Sequence, residues 1–198
     1  MIALTSDQYL SPEEYLEREK TSDIRHEYID GEVYAMAGAS NAHNKINGNL
    51  FIALSLHLRG SSCQTYTNDM KVKVRKGKRF YYPDLLVSCD PENQDLEAYA
   101  MTSPILIIEI LSDSTEAFDR GNKFKDYRSI SSLQEYILVS SRQHSIDCFR
   151  RGEKDFWVLQ SYQGLDAALH IESLNLDVSM QDIYATIDFP PETEDEVK

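Results

Sequence analysis

The chain has 198 residues, of which 20 are Lys or Arg and 33 are Asp or Glu, so its formal net charge at pH 7 is −13. This balance excludes a protein that coats nucleic acid or an anionic membrane non-specifically, because both partners would be repelled at long range. The acid is unevenly spread, since residues 151–198 carry −8 and residues 61–150 only −1. With 41% hydrophobic residues, the chain is long enough to bury a core as one folded unit.

No apolar run reaches the roughly 18 residues that a membrane span requires, and the first ten residues lack the order of a signal peptide. We therefore expect a cytoplasmic protein that is not embedded in a membrane. The three cysteines, Cys63, Cys89 and Cys148, are widely spaced and include no CxxC pair. The spacing predicts neither a disulfide framework nor a zinc site, and the cysteines are expected to be small apolar fillers in a reducing compartment.

The N-terminal third predicts a helix, a hairpin and a longer helix. Ser11 and Glu14 have the spacing of a capping box, which marks the start of the first helix. Asp30-Gly31 lies between two β-rich segments and predicts a tight hairpin turn. Apolar residues at helical spacing then predict a helix from Asn41 to Arg59.

The middle of the chain predicts strands. Lys71, Lys73 and Arg75 alternate with valines, which predicts a strand with one basic, solvent-exposed face. Residues 80–88 predict another strand that is irregular at Pro83, because proline cannot donate to a sheet. Residues 104–111 are almost wholly apolar and predict a strand covered on both faces.

The remaining elements complete a mixed α/β architecture. Asp113 and Glu116 form a second capping-box pair, which predicts a helix running to about Ile130. Three short strands follow between residues 135 and 162. We expect a central mixed β-sheet flanked by helices, with an N-terminal helix and β-hairpin, forming a single domain over residues 1–188. Residues 189–198 are predicted to be a disordered acidic tail.

Two carboxylates occur where carboxylates are costly. Glu109 interrupts an apolar strand, and an ionised side chain there costs several kcal/mol unless a cation or several donors compensate it. Asp84 follows the irregularity at Pro83, a kind of place where side chains are often redirected towards active sites. Hard oxygen ligands of this kind suit Mg²⁺ or Mn²⁺. Lys123 shares a helical face with Asp119 and Tyr127 and would reach the same site.

These residues, in this order, resemble a known family. Pro83-Asp84, Glu109 at the end of an apolar strand and Lys123 on the next helix are similar to the Uma-type restriction endonucleases, a branch of the PD-(D/E)XK nuclease superfamily. Residues 27–32 and 36–40 are also similar to that family. The likeness extends over about residues 10 to 160.

The resemblance implies a restriction-endonuclease-like core and a metal-dependent phosphodiesterase. Asp84, Glu109 and the Ile110 backbone carbonyl would hold one Mg²⁺, with Mn²⁺ as a substitute, and Lys123 would orient the attacking water. The superfamily's usual pattern has a lysine two residues after the glutamate, where this chain has Leu111, so the lysine maps to the following helix. The groups expected to support this site are Glu27, His43, Asp119 and Tyr127.

The expected partner is DNA. A segment with six positive charges would bind the phosphate backbone through Lys71, Lys73, Arg75, Lys76, Lys78 and Arg79. The same spacing also suits an ordinary solvated strand face. Cutting both strands of a duplex favours a two-fold symmetric homodimer.

Two other functions stay open. The chain could be a catalytically inactive nucleic-acid-binding or assembly module that keeps the nuclease fold, which predicts salt-sensitive binding without turnover. Asp84 and Glu109 could instead be the carboxylate pair of a glycoside hydrolase, which needs no metal. A chelator separates the nuclease from the glycosidase.

Overall fold

The computed structural model describes residues 2–3, 9–91 and 95–189. Except for Phe189, the predicted tail at 189–198 lies outside the described residues. The described residues form the helices α1 (Pro12–Glu19), α2 (Asn41–His57), α3 (Glu116–Phe118), α4 (Phe124–Tyr127) and α5 (Met180–Ile183). A π-helical turn, Asp119–Lys123, joins α3 to α4. In the described part of the chain, no helix has the length and apolar character needed to cross a bilayer.

The predicted mixed α/β class is confirmed, although the strands in the described part of the chain form two six-stranded sheets and one hairpin rather than one central sheet. The strands are β1 (Ile2–Ala3), β2 (His26–Ile29), β3 (Glu32–Ala35), β4 (Gln64–Thr67), β5 (Lys71–Val74), β6 (Arg79–Tyr81), β7 (Leu85–Ser88), β8 (Ala100–Met101), β9 (Leu106–Leu111), β10 (Glu135–Ser140), β11 (Ser145–Arg151), β12 (Trp157–Gln163), β13 (Ala168–Ile171) and β14 (Leu176–Ser179). The first sheet has the order β1-β3-β2-β6-β5-β8 and the second β12-β11-β10-β9-β7-β4, while β13 pairs with β14.

The predicted N-terminal elements are present. The Ser11 hydroxyl accepts from the Glu14 N–H at 3.2 Å, and Glu14 Oε2 accepts from the Ser11 N–H at 2.9 Å, which is the predicted capping box. Asp30 and Gly31 have φ angles of 48° and 106° and make the turn between β2 and β3. The long helix α2 begins at Asn41, as predicted.

The segment 80–88 is two strands, not one. It is interrupted between β6 and β7, so β6 lies in the first sheet and β7 in the second. Pro83 lies in this interruption, where its missing N–H leaves no gap in a ladder. Asp84 therefore lies where the chain crosses from one sheet to the other.

Strand β9 is buried along its whole length, as predicted, between β7 and the parallel strand β10. Its side chains alternate between two cores. Ile108 and Ile110 pack against α2, whereas Ile107 and Leu111 pack against α4. Because Glu109 alternates with Ile108 and Ile110, it belongs to the α4 face of the second sheet.

The prediction of a second capping box at Asp113 and Glu116 is wrong. Asp113 pairs with Arg142 instead, at 2.6 Å from Oδ1 to Nη1, and the N-cap of α3 is Thr115, whose side chain makes no capping bond. The expected continuous helix is interrupted by the π-helical turn and ends earlier, at Tyr127. Phe124 and Tyr127 of α4 are buried and face inward.

The prediction of three unpaired cysteines is wrong for two of them. Cys63 and Cys89 form a disulfide, while Cys148 is free and buried. The antiparallel register of β4 and β7 pairs Gln64 with Ser88, and one further step places the two cysteines opposite each other. The cysteines are 26 residues apart, and only the strand register brings them together.

The disulfide should contribute measurably to stability. We expect the double variant Cys63→Ser/Cys89→Ser to lose about 3 kcal/mol of unfolding free energy, because cross-linking a loop of this length restricts the unfolded chain. Urea unfolding measures the loss. A thiol reductant should lower the midpoint of the wild type towards that of the variant and leave the variant unchanged. A wild-type midpoint that is insensitive to reductant would contradict the bridge.

Candidate active site

An acidic cleft of about 910 Å³ opens between the loop 35–40, the first turn of α2 and the segment 112–119. The charged side chains of this acidic cleft are Glu27, Asp84, Glu109, Asp113, Asp119, Lys123 and Arg142, with His43 beside them. Carboxylates therefore outnumber cations among the residues that line it.

Asp84 is held in place from two sides. Its Oδ2 accepts the backbone N–H of Ile110 at 2.7 Å, and its Oδ1 lies 3.2 Å from His43 Nε2. The antiparallel register of β7 and β9 pairs Leu85 with Ile108, and one further step places Asp84 opposite Glu109. Strand pairing thus brings the two predicted carboxylates to the same place.

His43 comes from the first turn of α2, where its backbone N–H donates to the Ser40 hydroxyl at 3.2 Å. Burial alone would lower the pKa of His43, but hydrogen bonding to Asp84, with a further contribution from the Ile110 backbone, raises it overall. The imidazole is thereby biased towards its charged form beside the Asp84 carboxylate.

Lys123 is the centre of a buried ionic cluster. Its Nζ lies 2.9 Å from Glu27 Oε1, 3.0 Å from Glu109 Oε1 and 3.4 Å from Asp119 Oδ1. The lysine side chain is only 7% exposed, so these carboxylates, rather than water, solvate its charge. Asp119 and Lys123 are the first and last residues of the π-helical turn, a local irregularity that often occurs at functional sites.

Two further hydrogen bonds fix this cluster. The Tyr127 hydroxyl donates to Glu109 Oε1 at 3.1 Å, and the Tyr82 backbone N–H donates to Glu27 Oε1 at 3.3 Å. Tyr82 lies in the interruption between β6 and β7, so the crossover that positions Asp84 also positions Glu27.

The cluster holds more negative charge than its lysine can balance. Burial raises the pKa of Glu109 well above its usual value, Lys123 opposes this shift, and the neighbouring carboxylates add to it. Burial also raises the pKa values of Glu27 and Asp119. Burial would lower the pKa of Lys123, but Glu109 and Glu27 raise it well above its usual value, so the ammonium stays charged. A bound cation would offset the remaining carboxylate charge.

The available donors fit a magnesium ion completed by water. Among the described residues, no three His, Cys, Asp or Glu side chains form a ready-made metal site. Mg²⁺, however, usually binds through one or two carboxylates and keeps several waters. Asp84, Glu109 and the Ile110 carbonyl offer hard oxygens of that kind, beside the uncompensated charge of the ionic cluster.

The structure brings together all the predicted catalytic, metal-binding and supporting residues, while the roles assigned to them stay predictions. Leu111, where the usual lysine would stand, is buried in the core, and Lys123 contacts Glu109 instead. Tyr82, Asn68 and Arg142 also line the acidic cleft, although the sequence pattern did not predict them there. Only Tyr82 had a local signal, its position beside Pro83.

The prediction of a basic, solvent-exposed strand face is wrong for Lys71, its first residue. Lys71 is buried, with its Nζ 3.0 Å from the Tyr82 hydroxyl and 5.0 Å from the centre of that ring. Burial lowers the pKa of Lys71. A lysine enclosed in this way is not accessible to a phosphate backbone.

The rest of the basic segment, residues 73–79, comprises the end of β5, a turn and the start of β6 rather than one continuous strand. Residues 75–77 form the turn, with positive φ angles of 49°, 58° and 84°. Arg75 Nε lies 2.6 Å from Oδ1 of the buried Asp126, Arg79 also pairs with Asp126, and Arg79 Nε lies 2.9 Å from Asp30 Oδ2. The remaining cations, Lys73, Lys76 and Lys78, are exposed. None of the six basic residues is among those that line the acidic cleft.

Comparison with known proteins reveals similar sequences and a similar fold. A family model described as "Uma2: Putative restriction endonuclease" matches residues 12–181. An uncharacterized Synechocystis protein, slr1290, is 38% identical over 180 residues, which cover 91% of this chain and 94% of that protein. A second uncharacterized Synechocystis protein, sll1609, is 30% identical over 177 residues, which cover 89% of this chain and 100% of that protein.

A solved structure is also similar. The crystal structure of "a putative nuclease belonging to DUF820" from Anabaena variabilis superimposes with a TM-score of 0.72 at 16% sequence identity, covering 88% of this chain and 97% of that one. At this level of identity, the similarity establishes a shared fold.

Proposed function

The chain belongs to the Uma2 family, and from this premise we propose that it is a Mg²⁺-dependent endonuclease that hydrolyses phosphodiester bonds of DNA. The observation that carries the proposal is the position of Lys123 Nζ, which is 3.0 Å from Glu109 Oε1 beside Asp84 in the acidic cleft. A buried lysine beside two carboxylates suits phosphodiester hydrolysis with a metal ion, because the carboxylates can hold the ion and the ammonium can stabilise the developing negative charge.

In this proposal, Asp84, Glu109 and the Ile110 carbonyl would hold the ion. When bound, Mg²⁺ supplies a water of lowered pKa and offsets charge on the attacked phosphate. Both Asp84 oxygens already accept a hydrogen bond, from Ile110 and His43, but a carboxylate has about four acceptor positions and keeps room for a ligand. His43 and the Ile110 N–H thereby orient Asp84.

Lys123 acts as a fixed positive charge in this mechanism. Its pKa is raised, so it is unsuited to accept a proton from water at neutral pH. Instead, its ammonium orients the attacking water and stabilises the negative charge that develops on the phosphate. Glu27 and Asp119 hold that ammonium in place, and Tyr127 holds Glu109.

A two-fold homodimer is part of the proposal, because cleavage of both strands suits two symmetric active sites. Light scattering in solution measures the mass of the assembly. A monomer that still cuts both strands would contradict this part alone.

The proposal is tested with plasmid DNA and purified protein in Mg²⁺, in Mn²⁺ and in EDTA. We expect cleavage with either metal and none with EDTA, and we expect Asp84→Ala to abolish it. The matched control is Asp113→Ala, which removes an exposed carboxylate from the same cleft without touching the buried cluster. Cleavage that survives Asp84→Ala would rule out this site, and DNA binding without turnover would favour the inactive module.

A further inference from the structure

A basic groove lies beside helix α4, apart from the acidic cleft. Its volume is about 500 Å³, and its charged and aromatic lining consists of Lys125, Arg128, Arg151 and Trp157, with Asp155 opposing them. None of these residues lines the acidic cleft. The helical segment that directs Lys123 into the buried cluster therefore presents Lys125 and Arg128 to solvent.

Two of the three cations in this basic groove are available to a ligand. Arg151 is occupied, because it donates to the carbonyls of Leu133 and Ile130, each at 2.7 Å, and pairs with Asp155 at 2.7 Å. Lys125 and Arg128 are exposed, and neither forms an ion pair within the part of the chain that the structure describes. Arg128 lies over the Phe124 ring, 5.1 Å from its centre.

Helix α4 carries Lys125 of the basic groove and also holds the basic turn at 73–79. Asp126 lies on α4 between Lys125 and Tyr127, and its buried carboxylate binds Arg75 and Arg79 of the turn. Burial alone would raise the pKa of Asp126, but hydrogen bonds from Tyr81, Arg79 and Arg75 hold this pKa below its usual value. The turn is thus anchored to α4 while its three lysines stay exposed.

The charges on this surface contrast with those of the acidic cleft. Its carboxylates, Asp30, Asp126 and Asp155, are each paired with an arginine. The acidic cleft, by contrast, has more carboxylates than cations and repels phosphate unless an ion is bound. A basic surface elsewhere on the protein would attract the phosphate backbone that such a cleft repels.

We propose that the basic groove and the basic turn bind the phosphate backbone of DNA outside the acidic cleft. DNA as the partner rests on the proposed function. The shape of the surface supports it, because a flat bilayer cannot enter a concave groove, whereas a phosphodiester chain can. Binding there would raise the local concentration of DNA and would weaken as salt rises.

Fluorescence anisotropy with a short labelled DNA duplex in EDTA tests the inference without hydrolysis. The two test variants are Lys125→Glu/Arg128→Glu and Lys76→Glu/Lys78→Glu. We expect each to raise Kd by about tenfold or more and to reduce the salt dependence of log K by about two. The matched control is Arg18→Glu/Arg59→Glu, which makes the same change in net charge at exposed positions on and beside other helices. It should change Kd by less than about twofold.

The outcomes are separable. Equal weakening by all three variants, or by none, would overturn the inference. Binding of phosphatidylserine vesicles without binding of DNA would overturn it in favour of a membrane partner. DNA binding that follows the expected pattern without any metal-dependent cleavage would refute the proposed function but not this surface. If the protein cleaves DNA but the test variants bind DNA with unchanged Kd, only the role of this surface would be refuted.

Discussion

Replacing Lys123 with methionine should destabilise the protein by about 3–5 kcal/mol near neutral pH and abolish any metal-dependent cleavage. Methionine fills a similar volume but leaves Glu27, Glu109 and Asp119 without the cation that all three contact. Breaking a buried pair by removing one partner leaves uncompensated charge in a low-dielectric site. Since domains of this size have about 5–15 kcal/mol of stability, the loss should be evident in urea unfolding.

The unfolding free energy lost in Lys123→Met should increase as pH rises. Burial already raises the pKa values of Glu109 and Glu27 in the folded protein, and Lys123 opposes that increase. Without Lys123 their folded-state pKa values rise further. A carboxyl group whose pKa is raised on folding costs stability as pH rises through its folded pKa, because the unfolded chain ionises more easily. The difference between variant and wild type should therefore be larger at about pH 8 than at about pH 5.

The matched control is Lys125→Met, two residues further along, which removes the same charge from an exposed position. It should change the unfolding free energy by less than about 0.5 kcal/mol at either pH. A Lys123→Met protein as stable as the wild type at high pH would contradict the buried ionic cluster.

Local sequence signals were sufficient for much of the fold because the forces involved are local. The capping box at Ser11, the Asp30-Gly31 turn and the apolar spacing of α2 depend on residues a few positions apart. The carboxylates of the site could also be predicted, since Glu109 in an apolar strand is costly without a partner. The place of Glu27 in the site was harder to predict, because the pairing of β2 with β6 brings Glu27 near Lys123.

Features that depend on strand register were not predictable from local pattern. The Cys63–Cys89 disulfide needs the pairing of β4 with β7, and the burial of Lys71 needs the ring of Tyr82 over it. The β13–β14 hairpin was also missed, because each of its strands has only four residues. That hairpin is attached to β10 by Glu135, which accepts the Ser173 N–H at 2.8 Å and pairs with Arg150 at 2.9 Å.

The π-helical turn shows a different limit. Its residues are compatible with an ordinary helix, and the sequence predicted one. Asp119 Oδ1 lies 3.4 Å from Lys123 Nζ while Phe124 and Tyr127 face the core. A spacing of four residues would also bring these two side chains together in an ordinary helix, so the residue pattern does not reveal the π-helical turn.

Two equivalent substitutions should separate the metal ligand from the group that positions the lysine. Glu27 and Glu109 are both buried and contact Lys123 Nζ at 2.9 and 3.0 Å, so Glu→Gln makes the same chemical change at each. We expect Glu109→Gln to reduce Mn²⁺ affinity by about a hundredfold or more and cleavage by about a thousandfold. Glu27→Gln should leave Mn²⁺ affinity within about threefold and reduce cleavage by about 10–100-fold, through a less firmly held Lys123.

Isothermal titration calorimetry with Mn²⁺ gives the affinities, and a plasmid assay at saturating metal gives the rates. The neutral amide keeps an oxygen that can accept from Lys123 in both variants, so urea unfolding should show similar stabilities and exclude a general loss of structure. If Glu27→Gln weakened Mn²⁺ binding as much as Glu109→Gln, Glu27 would be a metal ligand and the assignment would be wrong. If neither changed the affinity, the ion would bind elsewhere. The expected division arises from the fold, because Glu109 is adjacent to Ile110 and opposite Asp84 in the second sheet, whereas Glu27 reaches Lys123 from the first.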